Sequence, residues 1–196
     1  MGLRTLLGLK TPYARRAPLN VFVLCTGRCG SLTFQAACRH ITNYTANHES
    51  RILLTGEARL DFPARHIEID NRLSWVLGRL DKTDGKKAFY VHLTRDPIKV
   101  VQSYARRRGY GGIAKAYYEG ILLGARGADT EVVMRDMVHT VTTNIEHFLR
   151  DKPNRMHIRF EDIKTEFPKF WSWIGATGDL DAALAEFDIV YDIRSV

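Results

Sequence analysis

The chain has 196 residues, 45% of them apolar and 26% charged, enough for one domain with a real core and too few to expect two. No apolar run approaches the length that crosses a bilayer, so the sequence reads as a folded soluble protein. Its 29 Lys and Arg outnumber 22 Asp and Glu, giving a net charge of +7 that points to an anionic partner without saying which.

The opening MGLRTLLGLK has no small-residue cleavage site behind a long apolar stretch, and Leu6 stands where a myristoylation signal wants Ser or Thr. Neither processing event is expected. A basic leader is expected over residues 1–19, carrying Arg4, Lys10, Arg15 and Arg16, and a single domain over residues 20–196. No Asp or Glu precedes Glu49, while Arg28 and Arg39 add to those four cations, which reads either as a positive field around the Val21–Phe34 turn or as a basic, partly frayed N-terminus. Cys25, Cys29 and Cys38 are an odd, clustered set without zinc or disulfide spacing, which points to a reducing compartment, the cytoplasm.

From Asn20 onward, short apolar runs alternate with amphipathic segments. Strands are expected at Val21–Cys25, Ile41–Thr45, His66–Ile69, Ala88–Leu93 and Met156–Phe160. Helices are expected at Leu32–Arg39, Arg72–Leu80, Ile98–Arg108 and Thr130–Arg150, with a further amphipathic segment carrying Phe167, Phe170, Trp171 and Ile174. On the long helix, Met134, Met137, Val138, Val141, Ile145, Phe148 and Leu149 recur at helical spacing and read as core. The alternation predicts an α/β fold: a three-layer α/β/α sandwich with a mostly parallel central sheet of about five strands, like that of P-loop NTPases.

The first expected strand runs into TGRCGSLT, Thr26–Thr33. In parallel sheets ligands settle at the carboxyl ends of strands, and a glycine-containing turn feeding a helix aims several N–H groups at one spot suited to phosphate. Gly27 and Gly30 allow close approach, and Ser31 adds a hydroxyl. The Walker A pattern needs Lys immediately before Ser or Thr, but Gly30 stands there and the cation, Arg28, lies inside the turn. That departure disfavours a P-loop kinase or nucleotide hydrolase.

A second element follows the fourth expected strand: Arg95, Asp96, Pro97, then Ser103 eight residues after the arginine on an expected helix. The arginine can clamp a phosphate in bidentate fashion, and the serine can add one hydrogen bond. Together, Arg28-Cys29-Gly30-Ser31 after one strand and Arg95-Asp96-Pro97 with Ser103 after another resemble sulfotransferases that use 3′-phosphoadenosine 5′-phosphosulfate (PAPS). A third stretch, Ile158–Ile163, is similar to the family's aromatic-Glu-Asp segment and is expected to hold the sheet edge and its loops.

The resemblance implies transfer of a sulfuryl group from PAPS to a hydroxyl or amine acceptor by in-line displacement, leaving adenosine 3′,5′-bisphosphate, with no metal. It implies that Arg28 balances charge on the leaving side, that Ser31 with the backbone from Gly27 and Arg28 through Cys29, Gly30, Leu32 and Thr33 cradles the 5′-phosphate, and that Arg95 and Ser103 hold the 3′-phosphate. A base must take the acceptor's proton. Glu49 is the first choice and His48 the second, while His92, His139 and His147 read as structural.

The chain departs from the family's pattern in two places, and it is shorter than members with large acceptors, so its acceptor pocket is expected to be open or completed by a partner. Thr33, with Phe34 beside it, stands where many members stack a Trp on adenine, and the late Arg-Lys-Gly element is absent, leaving Arg106, Arg107, Arg108 or Arg194 to substitute. Two other functions stay open: a non-catalytic PAPS or adenosine bisphosphate binder, and a nucleic-acid platform built on the arginines. The second is disfavoured because three adjacent arginines on a helix point in different directions. The acceptor, whether glycan, peptide or small molecule, is not legible.

Overall fold

The computed structural model describes residues 19–106 and 112–189. The expectations on the leader, Arg107, Arg108 and Arg194 lie outside those residues.

Five strands form one all-parallel sheet in the order β2-β3-β1-β4-β5, namely β1 Val21–Leu24, β2 Thr45–His48, β3 His66–Ile69, β4 Phe89–Thr94 and β5 Arg155–Arg159. The central β1 is apolar at every position because it is covered on both faces, which is why its sequence runs continuously instead of alternating. On one face Phe22 packs on Tyr90 at 5.9 Å and on Phe62 at 5.5 Å, and Tyr90 meets Phe148 of α5 (Thr130–Leu149) edge-on at 5.2 Å. On the other, Phe34 of α1 (Ser31–Cys38) sits 5.4 Å from Phe167 and 5.3 Å from Phe170 of α6 (Ile163–Ile174). Helices therefore cover both faces of the sheet. Truncating Phe34, fully buried, to alanine costs about 3–5 kcal/mol.

Six of the seven residues read as core on α5, Met134, Met137, Val138, Val141, Ile145 and Leu149, are buried, and the seventh, Phe148, packs against the core. Asp129 caps this helix by accepting from the Glu131 N–H at 2.7 Å.

The second strand lies four residues later than the sequence predicts. Ile41 leaves the sheet to bridge Gly178, and Tyr44 donates to the Ile174 carbonyl at 3.1 Å, so both apolar residues tie down the connection between α6 and α7 (Leu180–Ala185). The strand itself is Thr-Ala-Asn-His, a polar edge without a periodic signal. The helix expected over Arg72–Leu80 is a 3₁₀ turn, Asn71–Trp75, broken at Val76 (φ −128°) before α2 (Leu77–Thr83). Helix α3 spans Pro97–Ala105 and begins with Asp96 accepting from the Ile98 N–H. A short α4 occupies Gly112–Ala116.

Candidate functional site

The carboxyl ends of β1 and β4 are neighbours, because Leu24 pairs with His92 in the parallel register. The Thr26–Ser31 turn therefore emerges beside the Arg95-Asp96-Pro97 turn. Gly27 and Gly30 take φ +79° and +82°, and Arg28 adopts φ +59°, a left-handed conformation that costs a non-glycine residue roughly 1–2 kcal/mol. The surroundings hold it there. Tyr104 of α3 donates its hydroxyl to the Thr26 carbonyl at 2.8 Å, and Ser74 donates to the Cys25 carbonyl at 3.3 Å.

Neither glycine has room for a side chain. A β-carbon on Gly27 would lie 2.4 Å from the Tyr104 hydroxyl, and one on Gly30 would lie 2.1 Å from the Phe160 ring. Phe160 also stands 5.9 Å from the Arg95 guanidinium, so one aromatic side chain covers the start of α1 and flanks the second cation. Gly30 caps α1 with no side-chain hydrogen bond, which leaves the first-turn N–H groups facing the rim.

Three expected residues meet directly. Arg28 Nε donates to Ser103 Oγ at 2.9 Å across 75 residues of sequence, and Arg95 Nη1 donates to the Arg28 carbonyl at 3.3 Å across 67. Cys29 turns inward and is buried, 3.2 Å from the Thr26 hydroxyl. Within the Cys25/Cys29 thiol pair, the hydrogen bond between the two lowers the pKa of Cys29 and raises that of Cys25. Thr33 and Phe34 are both buried; Phe34 belongs to the aromatic core and is not available to stack on a ligand. Leu32 is half-buried on the first turn.

The two base candidates differ in surroundings. His48 ends β2 with Nε2 3.0 Å from Ser31 Oγ, and burial lowers its pKa from the ordinary histidine value. Glu49 (φ +50°) accepts from Asn71 Nδ2 at 2.7 Å and forms an ion pair with Arg72. Beneath them Asp70 is fully buried, paired with Arg59 at 2.5 Å and accepting from the Arg72 N–H at 2.7 Å; burial raises its pKa.

Tyr104, Asn71, Arg72 and Phe160 are site residues without a sequence signal of their own. Phe160 lies in the Ile158–Ile163 stretch, where Glu161 accepts from the Asp96 N–H at 2.9 Å and ties the end of β5 to the start of α3. Arg106 is exposed, its Nη2 3.4 Å from Gln102 Oε1. His92 lies on β4 and His139 and His147 on α5. Among the described residues no group of three His, Cys, Asp or Glu is arranged to hold a metal, and no helix is long and apolar enough to cross a membrane.

No family sequence model matches the chain, and no curated protein matches it in sequence. Solved structures do resemble it. The sulfotransferase domain from the curacin biosynthetic pathway superposes with a TM-score of 0.64 at 15% identity, over 85% of this chain and 77% of that one. The sulfotransferase domain of the Synechococcus PCC 7002 olefin synthase gives 0.60 at 14% identity, over 90% and 80%. Mouse sulfotransferase SULT7A1, solved as a complex with PAP, gives 0.52 at 13% identity, over 87% and 63%. At those identities the likeness establishes the fold, a five-stranded parallel sheet with a P-loop-like turn.

Proposed function

We propose that this chain, which has the sulfotransferase fold, is a PAPS-dependent sulfotransferase acting on a hydroxyl or amine acceptor. The observation that carries the reading is the contact of Arg28 with Ser103 and Arg95: two elements far apart in sequence, each following its own strand, meet at one rim. Two guanidinium groups, two serine hydroxyls and the N-terminus of α1 make a donor set with the chemistry of a nucleotide bearing phosphate at both ends. SULT7A1, of the same fold, was solved with PAP.

PAPS supplies an activated sulfuryl group whose departure leaves charge on the 5′-phosphate. Arg28 and the first-turn N–H groups of α1 are fixed before reaction and meet that charge without reorganising. Arg95 and Ser103 bind the 3′-phosphate, with Phe160 flanking Arg95.

For the base, two observations favour His48 over Glu49. Glu49 is engaged by both Arg72 and Asn71, so its carboxylate oxygens are already taken up by neighbours. His48 is kept neutral by burial, and its Nε2 already contacts Ser31. An anion on the loop draws the Ser31 hydroxyl to itself and leaves the Nε2 lone pair for the acceptor's proton. Glu49 then orients Arg72 and Asn71. The three thiols, all free and buried, suit a reducing compartment, and we place the protein in the cytoplasm.

The test is calorimetric titration with adenosine 3′,5′-bisphosphate and with adenosine 5′-monophosphate, followed by a sulfuryl-transfer assay against a panel of phenols, sugars and amines. The bisphosphate binds more tightly by at least an order of magnitude. Equal, weak binding of the two nucleotides would overturn the roles given to Arg95 and Ser103. Tight binding without transfer to any acceptor would leave a PAPS-binding protein in place of an enzyme.

A further inference from the structure

On the β4–β5 side of the sheet, the edge strand β5 and the end of α5 line an open hollow of 330 Å³. Its polar lining is His92, Glu146, Arg150, Arg155 and His157, and Leu149 and Met156 supply apolar wall. The register explains the grouping. His92 pairs with His157 and Tyr90 with Arg155, and side chains two apart on β5 share a face.

Charged residues on an edge strand ordinarily discourage pairing with other sheets, which accounts for Arg155 and Arg159 alone. It does not account for His92. That residue stands on the inner strand β4, 5% exposed, and its Nε2 is buried with no hydrogen-bond partner. Its ring is 5.5 Å from that of His157, and burial together with His157 pushes its pKa down to about 4, so it is a neutral imidazole. A buried polar atom without a partner in the protein is an uncommon feature and calls for one from outside.

The charges around it favour an anion. Arg155 is anchored through one of its five donors, Nη1, to the Lys152 carbonyl at 2.6 Å, and Arg150 through Nη2 to His147 at 3.1 Å. Lys152, nearby, is already paired with Asp81 and Asp151. Glu146 is the one carboxylate in the lining, against two guanidinium groups. The volume is several times the roughly 30 Å³ that one water occupies in the liquid, more than a bare oxoanion fills.

We infer that this hollow is a second anion site that takes a small phosphate or sulfate monoester, its oxoanion on Arg150, Arg155 and His92 and its short organic body against Leu149. It is separate from the nucleotide rim. A neighbouring hollow of 280 Å³, lined by Thr26, Cys29, Arg95 and Arg159 among others, shares His157 with it, and His157 is held at the partition by Thr94 Oγ1, 2.9 Å from its Nε2.

The test uses the full chain, nitrogen-15 labelled, with and without saturating adenosine 3′,5′-bisphosphate, titrated with glycerol 3-phosphate and, in a second arm, with inorganic phosphate. The imidazole signals of His92 and His157 shift saturably with the ester in both states. Arg155→Ala, at an exposed position, weakens that binding about tenfold and leaves nucleotide affinity unchanged; Arg150→Ala does the same. Histidine signals that stay unmoved by either titrant, or an Arg155→Ala chain that binds as tightly as the parent, would overturn the site. Equal affinity for inorganic phosphate would overturn the monoester assignment. A chain that fails to bind nucleotide but still shows the His92 shift would sink the sulfotransferase reading and keep this one.

Discussion

At the tips of β1 and β4 the candidate site groups are positioned by backbone. Gly27, Arg28 and Gly30 take left-handed angles, the Tyr104 hydroxyl holds the Thr26 carbonyl, and Arg95 reaches back to the Arg28 carbonyl. At the tip of β2 they are positioned by side chains choosing among partners: Glu49 is taken by Arg72 and Asn71, and His48 by Ser31. A site made from turns and strand ends announces itself through Gly, Pro and spacing. A site made by competition between side chains depends on which neighbours the fold delivers.

The sharpest way to break that contrast is at the base. His48→Asn lowers kcat by roughly 10²–10⁴ while nucleotide affinity stays within about twofold, and Glu49→Gln lowers kcat less than tenfold. Transfer assays on both variants decide it, and equal losses would restore Glu49 to the role the sequence suggested. The pH dependence carries the same information. Because burial lowers the His48 pKa, the base stays unprotonated through neutral pH, and kcat falls only as pH drops through a value below the ordinary ~6.5.

Next in size is Arg95→Ala, which removes charge-assisted hydrogen bonds worth about 2–3 kcal/mol and weakens adenosine 3′,5′-bisphosphate binding roughly 30- to 150-fold in calorimetry, with adenosine 5′-monophosphate little changed. Gly30→Ala probes the backbone directly. Its β-carbon meets Phe160 at φ +82°, so urea unfolding registers a loss of about 1–3 kcal/mol. A neutral result there would mean that the ring yields easily and the turn is less rigid than its contacts imply. The smallest effect is expected from Ser103→Ala, about 0.5–1.5 kcal/mol in bisphosphate affinity, since Arg28 keeps its charge when the hydroxyl is lost.

The same contrast explains what was legible. The uninterrupted apolar run of β1, the periodic residues of α5 and the Pro97 start of α3 each follow from local rules and appear where those rules put them. Strand β2 was hidden because Ile41 and Tyr44, the apolar residues that attract a strand assignment, serve the α6–α7 connection 130 or more residues away. The break at Val76 was hidden because helical periodicity survives a 3₁₀ turn. Phe160 gave no sign that it would cover Gly30, and Tyr104 none that it would hold Thr26, since both contacts depend on which strands become neighbours.

The strand order has a consequence for how such a chain comes into being. β1 lies at the centre of the sheet, yet Val21 finds its flanking partners only at Ile67 and Phe89, so this strand waits for later ones. Its most apolar stretch leaves the ribosome with nothing to pair against, and non-local parallel pairing of this kind is slow to form and exposed to aggregation in the interval. The Thr26–Ser31 turn takes its final shape only after Tyr104, 78 residues beyond Thr26, has been synthesised and docked.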